Sequence, residues 1–253
     1  MAKINLDKYY TDTNLAKYCI EKTKEIIGED DITEYLEPSA GNGSFSLQIK
    51  DCLAYDIEPE HESIIKQNFL ELDLPYKKGR LIIGNPPFGE RNNLSRSFYN
   101  KSVELGDYIS FILPISQYNN VDSLYKFDLI HSEVLPAIEY SGIKINCCLN
   151  IYKRPKNRLN KKPKYNSDLF DLKRTGDDGF EEFNYDFMIV KRGSVGKLIT
   201  EKRYGDEYKI KVKNEDYLEF VKNTILNFDW KEYKKHQSAP NISKNDIYRL
   251  FIK

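Results

Sequence analysis

The chain has 253 residues, enough for one α/β domain of ordinary size with an appendage, or for one large domain. Its 39 Lys and Arg balance its 39 Asp and Glu, which excludes a protein that is basic or acidic throughout. No apolar run approaches the roughly 20 residues that cross a bilayer, and the N-terminus lacks a signal-peptide pattern, so no membrane partner is expected.

The balance conceals a split. Residues 151–253 hold 24 Lys and Arg against 16 Asp and Glu, whereas residues 1–150 hold 15 against 23. Such a split points to a polyanion met by the second half, or to a Lys-rich solvated surface. Cys19, Cys52, Cys147 and Cys148 have no metal-knuckle spacing. They read as reduced, partly buried thiols of a cytoplasmic protein. His61, His131 and His236 are scattered, and no metal site is expected.

In chain order, Lys8 to Asn14 leads into a helix capped by Thr11 or Thr13 and ending at Ile27, before Gly28. Leu15, Tyr18, Cys19 and Ile26 share one side of it. Ile32–Glu37 reads as a strand stopped by Pro38. The small-residue loop Ser39–Gly43 follows, then a short helix over 44–50. Cys52–Tyr55 is a second strand, ending in Asp56, and Ser63–Lys66 a weak third. Arg80–Gly84 is the fourth, with Leu81, Ile82 and Ile83 apolar on both faces. A helix over Leu94–Leu105 and a fifth strand, Tyr108–Leu113, come next. A short helix at Val121–Phe127 and strands at Leu129–Leu135 and Ile145–Tyr152 complete a βαβ series, which means a mostly parallel sheet.

From Lys153 to Lys164 there are seven basic residues and no acid, an exposed linker or phosphate-tracking loop. Antiparallel strands at Phe183–Lys191, Lys197–Arg203 and Tyr208–Val212 follow, then a helix over Glu215–Leu226 and a last helix capped by Ser243. Trp230 reads as packing. The expected domains are a catalytic one, 1–154, and a small basic α+β region, 155–253, expected to recognise the target.

The chemistry gathers at three strand ends. Gly41 and Gly43 permit positive φ and close approach of backbone to a ligand, as in a loop that cradles adenosine. Asp56 can accept from ribose hydroxyls, with Glu58 as the alternative. After the fourth strand, Pro86 and Pro87 force the chain out beside Asn85 and Phe88.

Together these pieces resemble the class I S-adenosylmethionine-dependent methyltransferases, and within them the enzymes that methylate the N6 amine of adenine in DNA. The resemblance covers roughly residues 5–154. It implies a Rossmann-like sheet and S-adenosylmethionine as cofactor. Glu37-Pro38-Ser39-Ala40-Gly41-Asn42-Gly43 resembles the cofactor loop, Asp56-Ile57-Glu58-Pro59 the ribose-binding acid and its apolar neighbour, and Tyr10-Thr11 the element that closes over the cofactor's methionine part. Asn68-Phe69 stands where the family has Asp-Phe, so a neutral acceptor faces the cofactor's adenine. Asn85-Pro86-Pro87-Phe88 matches the catalytic motif. There the Asn85 carboxamide oxygen and the Pro86 carbonyl accept from the target amine, and Phe88 stacks on the base. Arg91, Arg96, Lys153, Arg154, Lys156 and Arg158 are the expected nucleic-acid contacts. DNA is the expected partner; an RNA adenine and a protein glutamine amide, whose nitrogen poses the same problem, are the alternatives.

Overall fold

The computed structural model describes residues 10–140, 143–200, 205–236 and 240–252, with the side chains of 138–140, 143 and 144 left aside. The expected stretch at Lys8 and Tyr9, and the end of the strand expected at Lys197–Arg203, lie outside the described residues. The chain divides into two compact units between Pro163 and Lys164 rather than after residue 154.

The first unit is a seven-stranded sheet. Its strands are β1 (Glu34–Glu37), β2 (Leu53–Asp56), β3 (Ile65–Lys66), β4 (Arg80–Gly84), β5 (Tyr108–Pro114), β6 (Asp128–Val134) and β9 (Cys147–Lys153), in the order β3-β2-β1-β4-β5-β9-β6. β3, β2, β1, β4 and β5 pair in parallel, and β9 runs antiparallel to β5 and β6. This is the expected Rossmann-like, mostly parallel sheet.

Alternation sorts the core onto two faces. Leu81, Ile83, Tyr108, Ile112, Leu149 and Ile151 pack with α1 (Thr13–Ile27). Ile82, Ile109, Phe111, Leu113 and Tyr152 pack with Phe98, Tyr99 and Val103 of α2 (Asn93–Leu105). Asp12, not Thr11 or Thr13, caps α1: its carboxylate accepts from the N–H of Asn14 at 2.9 Å and Leu15 at 3.2 Å. The buried face of α1 is Ala16, Cys19, Ile20, Thr23 and Ile27, and Tyr18 turns outward.

Three expectations fail on short-range structure. The helix over 44–50 is only a single turn at Ser46–Gln48, closed by bonds that reach three residues back, from Gln48 to Phe45 and from Ile49 to Ser46. No helix forms at 121–127, where the Asn120 carboxamide accepts from the N–H of Asp122 and Ser123 in a turn. The last strand begins at Cys147, and a separate hairpin of β7 (Ile138–Tyr140) and β8 (Ile143–Ile145) precedes it.

The second unit carries a four-stranded antiparallel sheet, β10-β13-β11-β12, from Phe170–Arg174, Glu207–Val212, Phe187–Val190 and Leu198–Ile199. The first of these strands was not expected. Helices α3 (Leu218–Asn227), α4 (Trp230–Tyr233) and α5 (Lys244–Arg249) supply Val221, Ile225, Trp230 and Ile247 to its core. Trp230 is buried as packing, and its indole N–H donates to the Ile225 carbonyl at 2.9 Å. Ser243 caps α5 in a reciprocal pair with Asp246.

Candidate active site

Chain order reverses direction in the sheet between β1 and β4, so their carboxyl ends stand side by side above a crevice. β1 delivers Glu37 there, and β4 delivers Gly84 and Asn85. A Cβ on Gly84 would lie 3.3 Å from the Glu37 Cγ, so glycine is what lets the two strand ends close up.

A cavity of about 540 Å³ opens at this point. It falls in the range of small-molecule sites. One wall is the turn Ser39–Gly41 with Glu37 and Ser44, another is Asp56, Ile57, Glu58 and Glu60, and a third is Asn68, Phe69 and Leu70. Asn85, Pro86, Pro87, Leu94 and Phe98 complete it. Of the expected site residues, Tyr10, Thr11, Glu37, Ser39, Ala40, Gly41, Asp56, Ile57, Asn68, Phe69, Asn85 and Pro86 all line it.

Asp56 builds the loop as well as facing the cavity. One carboxylate oxygen accepts from the Gly41 N–H at 2.7 Å and the other from the Glu58 N–H at 2.8 Å. Each oxygen keeps a further lone-pair direction for a ligand hydroxyl. Gly41, at φ +51°, lies under the Tyr10 ring. Gly43 (φ +84°) does not line the cavity; its N–H donates to the Ala40 carbonyl at 2.7 Å and closes the turn.

Glu37 is 2% exposed, and its carboxylate accepts from the Ser46 N–H at 2.8 Å. Burial pushes this carboxyl up to about 8, and the charge of Asp56 adds to the rise. Asn68 uses its side chain locally: the carbonyl accepts from the Leu70 N–H at 3.1 Å, and the amide donates to Glu71 at 2.8 Å. Phe69 stacks on Phe98 with centroids 5.2 Å apart.

Phe88 is placed differently from expectation. It packs, partly buried, against the core cluster on the α1 side and does not line the cavity. The turn after it holds Gly89, Arg91 and Asn92 at positive φ. Arg91 and Arg96 are exposed beside the site but outside the cavity lining.

The basic run is also displaced. Lys153 pairs with Tyr108 and Asp128, at the end of the sheet away from Asn85. Gly84 lies beside Phe111, so about four residues of β5 separate the level of Lys153 from that of Asn85, about 13 Å along the strand. The linker stays there as far as Asn160, whose N–H donates to the Lys126 carbonyl at 2.9 Å and whose side chain donates to Asp128 at 2.8 Å. Arg154 is a clamp. Its guanidinium donates to the carbonyls of Val103 and Gly106 at the end of α2, pairs with Asp107 at 3.1 Å, and stacks over Phe127 and Tyr76. Lys156 and Arg158 are exposed on this far side.

Sequence reasoning missed Glu60, Asn93, Leu94 and Phe98 as lining residues. The available signal was Leu94 and Phe98 one helical turn apart immediately after the Asn85 turn.

Among the lining residues are five carboxylates (Glu37, Asp56, Glu58, Glu60 and Glu90) and no Lys or Arg. With the Glu37 carboxyl protonated at neutral pH, the other four still disfavour a phosphate and favour a cation. Among the described residues no group of His, Cys, Asp and Glu is arranged to hold a metal ion.

No family model and no curated protein sequence matches the chain. Solved structures that resemble it include a Pyrococcus horikoshii protein provisionally assigned as an RNA methyltransferase, 16% identical over 61% of this chain and 90% of that one, with a TM-score of 0.47. The 23S rRNA methyltransferase ErmE is 13% identical over 61% and 72%, at 0.44. Magnesium protoporphyrin IX methyltransferase from Synechocystis is 9% identical over 60% and 88%, at 0.40. Likenesses of that size say nothing about this chain's substrate. Its own strand order, with one antiparallel strand next to β5 and the crevice between β1 and β4, is that of the Rossmann-like class I methyltransferase fold.

Proposed function

We propose that the chain transfers the methyl group of S-adenosylmethionine to the exocyclic N6 amine of an adenine in nucleic acid. The observation that carries this reading is one cavity uniting the Ser39–Gly41 loop with Asn85 and Pro86, lined by carboxylates and by no cation. Dinucleotides and nucleoside phosphates fit such a lining poorly. A phosphate-free adenosine bearing a sulfonium and an ammonium fits it well. Ile57, Phe69, Leu94 and Phe98 offer apolar surface to the adenine, and Asp56, Glu58 and Glu60 offer acceptors to hydroxyl and ammonium groups.

When bound, the cofactor supplies an electrophilic methyl group. The chain's part is to ready the nucleophile. An adenine amine is a poor nucleophile because its lone pair is delocalised into the ring. Acceptors at the Asn85 carboxamide and the Pro86 carbonyl hold its two N–H groups and draw it toward tetrahedral geometry. Pro86 and Pro87 make the second acceptor rigid. Catalysis of this kind is positioning plus stabilisation of charge developing on nitrogen. Phe88 takes no part in this scheme while it packs against the core.

DNA and RNA are both served by this chemistry. The test is to incubate the protein with labelled cofactor and, separately, duplex DNA, single-stranded DNA and RNA, followed by nucleoside analysis. Label in N6-methyladenosine or its deoxy form is the expected result; no label in any polymer overturns the reading. A second reading, a glutamine amide of a polypeptide, is favoured by the acidic lining and by the 23 acids against 15 bases in residues 1–150. Label in protein instead of nucleic acid would select it.

A further inference from the structure

Tyr10 and Thr11 form a strap that is fastened at three points. The Tyr10 hydroxyl donates to the Glu60 carboxylate. The Ser44 hydroxyl donates to the Thr11 carbonyl at 2.7 Å. The Asn85 carboxamide donates from Nδ2 to the Thr11 Oγ1 at 3.2 Å. Thr11 is 6% exposed. The strap lines the candidate cofactor cavity and also a second hollow lined by Leu15, Tyr18, Leu135 and Pro136. The strap lies between these two spaces, held by these bonds and by the Tyr10 ring against Gly41.

The two acceptors assigned to the target amine differ in stiffness. The Pro86 carbonyl is backbone, held by two consecutive prolines. The Asn85 carboxamide turns about a broad, two-fold torsion that rotamer preference leaves loose. Ser39 secures only the Asn85 backbone, donating its hydroxyl to the carbonyl at 3.3 Å. The amide plane therefore needs a partner of its own, and Thr11 provides one.

We propose that Thr11 is a positioning residue whose side-chain oxygen sets the plane and direction of the Asn85 carboxamide, so that seating the Tyr10–Thr11 strap and readying Asn85 are one event. The consequence for the target amine rests on the methyl-transfer reading above; the Thr11–Asn85 coupling itself does not. The coupling differs from a role in holding the cofactor, because it acts on the chemical step.

The test uses the full chain with Thr11→Val, which removes the hydroxyl at constant shape, and Thr11→Ser, which keeps it. Thr11→Val is expected to lower kcat about 100-fold, the scale of a misplaced catalytic group, with cofactor Kd and target KM within about 3-fold. Thr11→Ser is expected to restore most of kcat. A Thr11→Val protein that keeps kcat and loses cofactor affinity overturns the proposal.

A readout independent of activity is the side-chain amide resonance of Asn85 in asparagine-labelled protein, assigned by its loss in Asn85→Asp. The wild type is expected to show a cross-relaxation contact between this NH2 and the Thr11 methyl group, and the resonance is expected to shift in Thr11→Val. Absence of that contact in the wild type overturns the proposal even if Thr11→Val does not fold. If the wild type shows the contact but methylates no polymer, the coupling stands and the methyl-transfer reading fails.

Discussion

Glu37 sits where β1 ends, 2% exposed, with its carboxyl pushed from an ordinary value near 4.5 up to about 8. The fold therefore binds this proton more tightly than the unfolded chain does. The stability it contributes is fully present below pH 4.5 and is lost as the pH rises through about 8. The Tm of the ligand-free protein is expected to fall between pH 6 and pH 8.5, and Glu37→Gln is expected to flatten that fall. A profile that is the same in both proteins sinks the assignment. A cation in the cavity reverses the preference, so cofactor binding at pH 7 is expected to release up to about one proton, measurable by calorimetry in buffers of different ionisation enthalpy. At Asn85 the expectation is simpler. Asn85→Ala is expected to lower methyl transfer by at least about 100-fold while cofactor affinity changes by no more than about 3-fold. Asn85, Asp56 and the glycine loop are legible in the sequence because each follows directly on an apolar strand. Phe88 is not: the backbone turns at Gly89, φ +67°, and the ring goes to the core, which no local pattern encodes.

Elements that carry their own pattern are legible, and those that depend on distant partners are not. β4 matches its sequence pattern residue for residue because Leu81, Ile82 and Ile83 are buried on both faces between α1 and α2. The composition after Gly43 permits a helix, but the backbone bonds there reach three residues back, Gln48 to Phe45 and Ile49 to Ser46, and only a single tight turn forms. Arg154 shows the same failure at longer range. In sequence it is part of a basic run, yet its partners lie at the end of α2, 48 and 51 positions away. α2 presents orphan carbonyls there, and a guanidinium is suited to them by charge and by its fork of donors. Arg154→Ala is expected to destabilise the first unit by roughly 2–4 kcal/mol, since hydrogen bonds from a charged donor disappear and carbonyls are left bare. Denaturant unfolding checks it. A loss under about 0.5 kcal/mol, or an unchanged stability with weakened nucleic-acid binding, would return Arg154 to the surface role first expected of it.

Over the whole molecule the charge split takes a sharper form than the two halves suggest. Residues 164–253 hold 18 Lys and Arg against 16 Asp and Glu, so the basic excess of the second half resides mainly in the linker that precedes them. Within the second unit many of those cations are already paired, as in Lys191–Asp206, Lys211–Asp186, Lys213–Asp171 and Lys234–Asp246. Lys156, Arg158, Lys161 and Lys162 are exposed, and as far as Asn160 the linker lies at the sheet end opposite Asn85. On the proposed reading, phosphates met by Lys156 and Arg158 would lie away from a base held at Asn85. Contacts of this kind add salt-dependent affinity without entering the chemical step. Replacing the four residues by Gln is expected to reduce the slope of log K against log salt by up to about 3.6 for duplex DNA, at about 0.9 for each phosphate no longer neutralised. Single-turnover methylation at saturating target is expected to stay within about 2-fold of wild type, because positioning at Asn85 and Pro86 is untouched. A tenfold fall in that rate with an unchanged salt slope would mean that the linker acts on the reacting centre, and that the separation between anchoring and chemistry drawn from the sheet is mistaken.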